Sequence, residues 1–442
     1  MWSNLVVKLI LLTGLINSIY CQSPPRVVCY YDSRSSLKEG IGKVLPSDIL
    51  PAISMCTHLV YGYAGIKAED FKVAPLISNE ELDPNNGLYR QITSIKTQYP
   101  NLKVLLSVGG DADGNSPDKY LALLESSTAR IAFTNSVNVI LKQFNFDGLD
   151  LAFQFPKMKP KKVRSTIGSI WHGFKQTIGA AGKPVDENSE AHKNQFTSLV
   201  VELKNSFRID NYQLGITVLP NVNATLYLDV PSIKNYVDFV TIAAFDVYTP
   251  ARNPKEADYV APTLSVTDRN VEENVDFAAT YLIANGLAGT QIVVGLPTFG
   301  RAWKIEKDAT ITGAPPVAAN GPAPEAVQTR TQGLYSYPEI CNMLLNDQNV
   351  NLKGEHAPLR RVPDPTKRYG TYAFRLPDAN GGYGVWVGYE DPESAGNKAS
   401  FVKGKGLGGV AVFDLSTEDI RGSCTGGQIK FPILQKIKEK LK

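Results

Sequence analysis

A (β/α)8 barrel, of the TIM type, carrying a small α+β insertion domain between its seventh and eighth strands is the α/β fold this sequence predicts. Three observations point to it. Eight short runs rich in β-branched residues recur along the chain: RVVCYYDS, HLVYGYAG, LKVLLSVGG, FDGLDLAFQF, YQLGITVLP, VDFVTIAAFD, QIVVGLPTFG and LGGVAVFDLS. Most are apolar throughout, as strands of a parallel sheet covered on both faces are, and segments of helical period such as 194–207 lie between them. Between the seventh and eighth runs, residues 302–388 are rich in Pro and Gly, lose this rhythm and are too long for a bare loop. Eight strand-then-helix units favour a closed barrel over an open sheet.

Taken in order, residues 1–21 read as a cleavable secretory signal: a weakly positive start is followed by a short apolar run ending near Cys21. Lys8 interrupts that run, which falls short of the roughly 20 apolar residues a membrane span requires. The barrel occupies 22–301 and resumes at 389–442 with the eighth strand and a C-terminal helix. The insertion, 302–388, offers GLYSYPEICNMLL as a helix and TYAFRL and GVWVGYE as strands. A second addition, KMKPKKVRSTIGSIWHGFKQTIGAAG, follows the fourth strand. It is basic at its start, through Lys157, Lys159, Lys161, Lys162 and Arg164, and helical in period afterwards. Both additions follow strand ends, the face on which such barrels keep their sites.

Composition excludes several classes. Hydrophobic content of 43% and charged content of 20% belong to a globular protein and not to a disordered chain or a fibre. A net charge of +3 is too mild to imply a nucleic-acid partner, and no later segment is long and apolar enough for membrane insertion. With Cys21 set aside as part of the signal, Cys29, Cys56, Cys341 and Cys424 remain. None has the short spacing of a zinc or redox motif, so two disulfides in an oxidising, extracellular setting are expected, with three pairings open. No metal or other cofactor is implied. Asn223-Ala224-Thr225 is a glycosylation sequon.

The stretch FDGLDLAFQFP carries the chemical question. In a strand, residues two apart share a face, so Asp150, Ala152 and Gln154 point into the barrel while Leu149, Leu151 and Phe153 point toward the helices. The stretch resembles the strand-four signature D-x-x-D-x-D-x-E of the family 18 glycoside hydrolases, the chitinases and their chitinase-like relatives. Asp147 and Asp150 match it; Ala152 and Gln154 do not. KVLLSVGG, VGLPTFGRAW, GLGGVAVFDLS, WVGYEDPES and YPEIC resemble further family segments, so the resemblance spans nearly the whole mature chain. The basic addition, LPNVNAT and DPTKRYG are similar to the imaginal disc growth factors, insect chitinase-like secreted proteins.

That resemblance implies roles position by position. In the family, a glutamate where Gln154 stands protonates the glycosidic oxygen, and an aspartate where Ala152 stands orients the substrate's N-acetyl group. A tyrosine in place of Phe245 bonds that group, and a tryptophan in place of Phe413 carries the reacting sugar. An amide has no proton acidic enough to release, so a term worth roughly 10²–10⁴-fold is absent and no catalytic residue is expected. Asp150 and Asp246 are expected chiefly as hydrogen-bonded groups of the core. Tyr30, Tyr63, Trp303, Trp386 and Phe413 are candidate sugar-stacking rings, with rim packing as the competing reading. Arg301 is a candidate cleft arginine or an ion-pair partner of Asp246. The resemblance also implies the pairings Cys29–Cys56 and Cys341–Cys424.

The function implied is that of a secreted, non-catalytic growth factor that acts with insulin on proliferation and motility of imaginal disc cells, through a cell-surface receptor the sequence does not identify. The alternative is a lectin that binds chitin-like oligosaccharides without cleaving them; a third reading is a hydrolase using some other acid. The basic stretch is expected to be a solvated face, or else a contact for an anionic glycan or receptor.

Overall fold

The computed structural model describes residues 24–114, 117–160, 185–305, 312–378 and 382–442. Residues 1–21, expected to be a signal segment, and Lys161, Lys162 and Arg164 of the basic stretch lie outside the described residues. Eight parallel strands form the barrel: β1 (Arg26–Asp32), β2 (His58–Ile66), β3 (Lys103–Gly109), β4 (Gly148–Ala152), β5 (Gln213–Val218), β6 (Phe239–Ile242), β7 (Ile292–Pro297) and β8 (Gly409–Phe413). Each pairs with the next, and the ring closes where β8 meets β1 with Arg26 beside Gly409 and Cys29 beside Val412. Their mostly buried, β-branched composition follows from having helices outside and packed side chains within.

The helices obey the same sequence logic. Ser127–Phe144 starts at Ser126, whose hydroxyl accepts from the Ala129 N–H, and ends at Asn145 in the left-handed conformation with φ 59°. Between those caps, Phe133, Val137, Leu141 and Phe144 recur at helical spacing and are buried against the barrel. Ser189–Ser206 does the same with Phe196, Leu199, Val200 and Leu203. The C-terminal helix Pro432–Leu441 packs on Pro392–Gly404 and receives the buried carboxylate of Glu418 at its first N–H groups, Ile433 at 2.7 Å and Leu434 at 3.2 Å.

A second, antiparallel sheet sits after β7. Its strand order is Arg360–Val362, Thr371–Arg375, Gly384–Tyr389, Phe299–Ile305, Val317–Pro322 and Glu256–Ala257, with Leu334–Ser336 paired to Phe299–Ile305. The sheet thus begins at Phe299, ahead of residue 302, and borrows Glu256–Ala257 from the loop after β6. Its helix Tyr337–Met343 opens with a capping box in which Ser336 and Glu339 satisfy each other's backbone N–H.

Trp303 and Trp386 correct the sequence expectation. They are direct cross-strand partners with ring centroids 5.6 Å apart, both fully buried, and their indole N–H groups donate to the carbonyls of Asn253 and Gly313 at 2.9 Å. These rings form the core of the small sheet and offer no face to a sugar. Burial of two indoles with satisfied N–H groups stabilises this sheet.

Both disulfides are formed, with Cα–Cα distances of 5.9 Å for Cys29–Cys56 and 5.7 Å for Cys341–Cys424. The first links β1 to the turn before β2; the second links the insertion's helix to the segment after β8. Among the described residues no helix is long and apolar enough to cross a membrane, and no group of three His, Cys, Asp or Glu side chains is placed to hold a metal.

Candidate functional site

The C-terminal ends of the barrel strands and the antiparallel sheet enclose a cleft of about 450 Å³. Asp32 ends β1, Tyr63 lies in β2, Gly110 and Asp111 follow β3, Phe245 and Asp246 follow β6, and Phe413 and Asp414 close β8; all line it, with Phe299 and Arg301 from the sheet.

The turn after β3 shows why the sequence reads SVGG here. Gly109 has φ +106° and Gly110 φ +62°. A Cβ on Gly109 would lie 2.1 Å from the Ala152 carbonyl oxygen, and one on Gly110 would lie 2.7 Å from the Tyr63 ring, so only glycine fits at either position. The Gly110 N–H then donates to the Ala152 carbonyl at 2.8 Å, and the Gly110 carbonyl accepts from the Gln154 side-chain nitrogen at 2.5 Å. Gln154 is buried, and its Oε1 is buried without a hydrogen-bond partner among the described residues. Ala152 is fully buried and contributes only a methyl group.

Asp150 lies below this floor, sealed in the barrel. Its carboxylate accepts from Ser107 Oγ at 2.6 Å, Thr217 Oγ1 at 2.7 Å and the Tyr30 hydroxyl at 3.0 Å. Burial pushes its pKa up, and these three donors oppose that shift. Tyr30 is therefore a core residue: it is buried, bonded to Asp150 and Thr217, and stacked at 4.0 Å beneath Phe413. Its expected place among sugar-stacking rings is corrected, because its hydroxyl is spent on the interior network and its ring backs another ring. Asp147 is placed elsewhere too. It precedes β4 at the opposite end of the barrel, where it accepts from the Val104 N–H at 2.7 Å and pairs with Lys96 at 3.2 Å. It has no contact with the cleft.

Within the cleft, Phe413, Phe245 and Phe299 form one aromatic wall, with Phe245 5.2 Å from Phe413 and 5.9 Å from Phe299. Arg301 lies 4.8 Å over the Phe299 ring and grips Asp246 with two parallel bonds of 2.7 and 2.5 Å. Asp246 holds this pose with φ 55°, its carbonyl accepting from Asn221 at 2.9 Å. Lys157, from the start of the basic stretch, pairs with Asp111 at 2.7 Å, while Lys159 is exposed. Asn223 is half-buried and caps the short helix Ala224–Tyr227, its Oδ1 accepting from Thr225.

Sequence reasoning missed Asp32, Arg34, Lys38 and Asp414. Arg34 is bound to Asp32 by several bonds, the shortest 2.6 Å. Asp414 accepts from the Ser416 N–H at 2.7 Å and from the Ser416 hydroxyl; burial and the neighbouring Asp32 push its pKa up to about 6. A signal was present, since Asp32, Asp111, Asp246 and Asp414 each stand at or just past the C-terminal end of a barrel strand, where side chains meet the cleft.

The profile of "Glycosyl hydrolases family 18" matches residues 26–418. Chitinase-like protein Idgf4 of Drosophila melanogaster is 52% identical, covering 96% of this chain and 97% of the relative. Imaginal disk growth factor 6 of the same fly is 49% identical over 94% and 93%. Among solved structures, catalytic domain 2 of the Ostrinia furnacalis Group II chitinase superposes with a TM-score of 0.75 at 28% identity, covering 94% of this chain and 96% of that one. Human YKL-39, a pseudo-chitinase with retained chitooligosaccharide binding, gives 0.73 at 25% identity over 94% and 99%. The chain belongs to the family 18 glycosyl hydrolases, in the imaginal disc growth factor branch of their chitinase-like members.

Proposed function

We propose that this protein is a secreted, non-catalytic chitinase-like growth factor that, with insulin, promotes proliferation and motility of imaginal disc cells. The observation that carries the non-catalytic part is Gln154. It stands where the family's proton donor is expected, and an amide bonded to the Gly110 carbonyl at 2.5 Å has no proton to give a leaving group. Ala152 and Phe245 remove the carboxylate and hydroxyl that would hold an N-acetyl group. The growth-factor part is supported by the name of the 49% identical imaginal disk growth factor. Secretion is supported by the apolar start of the chain and by two disulfides. Asn223 is the glycosylation position this reading implies. The test is a cell-proliferation assay with insulin: the response should survive Gln154→Ala and Asp246→Asn, and its loss in both would return the activity to the cleft.

A second reading rests on the cleft itself. It stays open at about 450 Å³, with Tyr63 and Phe413 on its walls and the Arg301–Asp246 pair at its side. This shape suits a chitin-like oligosaccharide bound without cleavage, in keeping with the property stated for YKL-39. Calorimetric titration with N-acetylglucosamine and glucosamine oligomers tests it; heat from neither would remove it. Lys157 and Lys159 leave an anionic glycan as a separate contact, read by salt-sensitive retention on heparin.

A further inference from the structure

The carboxylates lining the cleft differ in what they hold. Asp32, Asp111 and Asp246 each have a cation within ion-pair distance: Arg34 at 2.6 Å, Lys157 at 2.7 Å and Arg301 at 2.5 Å. Asp414 has none among the described residues. Its side chain accepts from the N–H and hydroxyl of Ser416, and Lys38 and Arg34 act on it only from longer range. It is half-buried, faces the cleft, and follows directly on Phe413, the ring that Tyr30 backs at 4.0 Å. An aromatic face beside an acid without a cation partner is a receptor for a group that is apolar on one side and positive on the other.

The same end of the cleft offers little to an N-acetyl group. Ala152 is sealed beneath the Gly110 turn, and Phe245, packed at a tilt against Phe413 with ring centroids 5.2 Å apart, carries no hydroxyl. A neutral amide bound there gives up its water for few hydrogen bonds. An ammonium gains a charge-assisted bond to Asp414, about twice as strong as a neutral one. We propose that the Phe413 end of the cleft selects a sugar with a free amine, so that the preferred ligand is a glucosamine oligomer of the deacetylated, chitosan type, its ammonium on Asp414. This rests on the oligosaccharide-binding reading and narrows it.

The experiment is calorimetric titration of the full mature chain, near neutral pH, with glucosamine and N-acetylglucosamine oligomers of equal length. The glucosamine oligomer is expected to bind about tenfold more tightly, the value of one charge-assisted hydrogen bond. Asp414→Asn should abolish the preference and Asp414→Glu should keep part of it, with circular dichroism showing both variants folded. Equal or tighter binding of the N-acetylated oligomer overturns the proposal while leaving the oligosaccharide reading intact, as does a preference that survives Asp414→Asn. Binding of neither oligomer overturns both.

Discussion

The side-chain nitrogen of Gln154 donates to the carbonyl of Gly110 at 2.5 Å, while the oxygen of the same amide lies buried with no partner among the described residues. A glutamate placed there would point an oxygen at the Gly110 carbonyl and would have to be protonated to bond it. Gln154→Glu is therefore expected to carry a raised pKa. The variant loses stability as pH rises above the ordinary carboxylate range near 4.3, by about 1–3 kcal/mol. It should not hydrolyse a fluorogenic chitooligosaccharide, because Ala152 and Phe245 remain. Turnover from this single change would mean that the rest of the site is intact.

Tyr30→Phe separates the interior network from the cleft. The ring and its stacking on Phe413 stay, but Asp150 loses a donor at 3.0 Å and Thr217 its partner at 2.8 Å. Unfolding by denaturant should show a loss of about 1–3 kcal/mol, with oligosaccharide affinity unchanged. A fall in affinity without a fall in stability would put the Tyr30 hydroxyl back in the cleft.

Phe413→Ala should act on both quantities. Phe413 is buried between Tyr30 and Phe245, so truncation opens a cavity and costs about 3–5 kcal/mol. It also removes the ring beside Asp414, and any oligosaccharide binding should fall with it. Thermal unfolding and calorimetry on one preparation check the pair.

Asp414 gives a pH signature with a definite sign. Its folded pKa, about 6, lies above the ordinary value of 3.8, so the folded state holds the proton more tightly. Its contribution to stability is therefore present at low pH and is lost as pH rises through about 6. The groups facing it are Asp32, Arg34 and Lys38 from the β1 side, with Tyr31 and Tyr63. The difference in melting temperature between the wild type and Asp414→Asn should shift toward the wild type on acidification from 6 to 4. His58 titrates oppositely, held down to about 4 by burial, which is why the difference and not the raw curve is the readout.

Removing the bond between Cys341 and Cys424 frees the insertion's helix from the end of the barrel. Cys341→Ser with Cys424→Ser should cost about 2–4 kcal/mol. Loss of the Cys29–Cys56 link, whose cysteines are 27 residues apart against 83, should cost less in the chain-entropy description. Equal losses would point to strain or residual structure instead of loop closure.

The barrel is legible in the sequence because each strand is a local pattern: an apolar β-branched run must be buried wherever it goes. The site is legible only in part. Period-two alternation puts Asp150 inside, but cannot say that Ser107, Thr217 and Tyr30 will seal it there, since those partners come from three other strands. Trp303 and Trp386 look like cleft aromatics until the strand register pairs them, a relation across 83 residues that no local pattern carries. Asp147 shows the reverse case: a motif position whose place at the N-terminal end of β4 follows from counting along the strand.

The most direct test of the central claim is the rate at which the purified protein hydrolyses a fluorogenic chitooligosaccharide across acidic to neutral pH. With Gln154, Ala152 and Phe245 in place, no turnover above the uncatalysed background is expected. Hydrolysis at an ordinary enzymatic rate, on the order of 1–10³ per second, would contradict it.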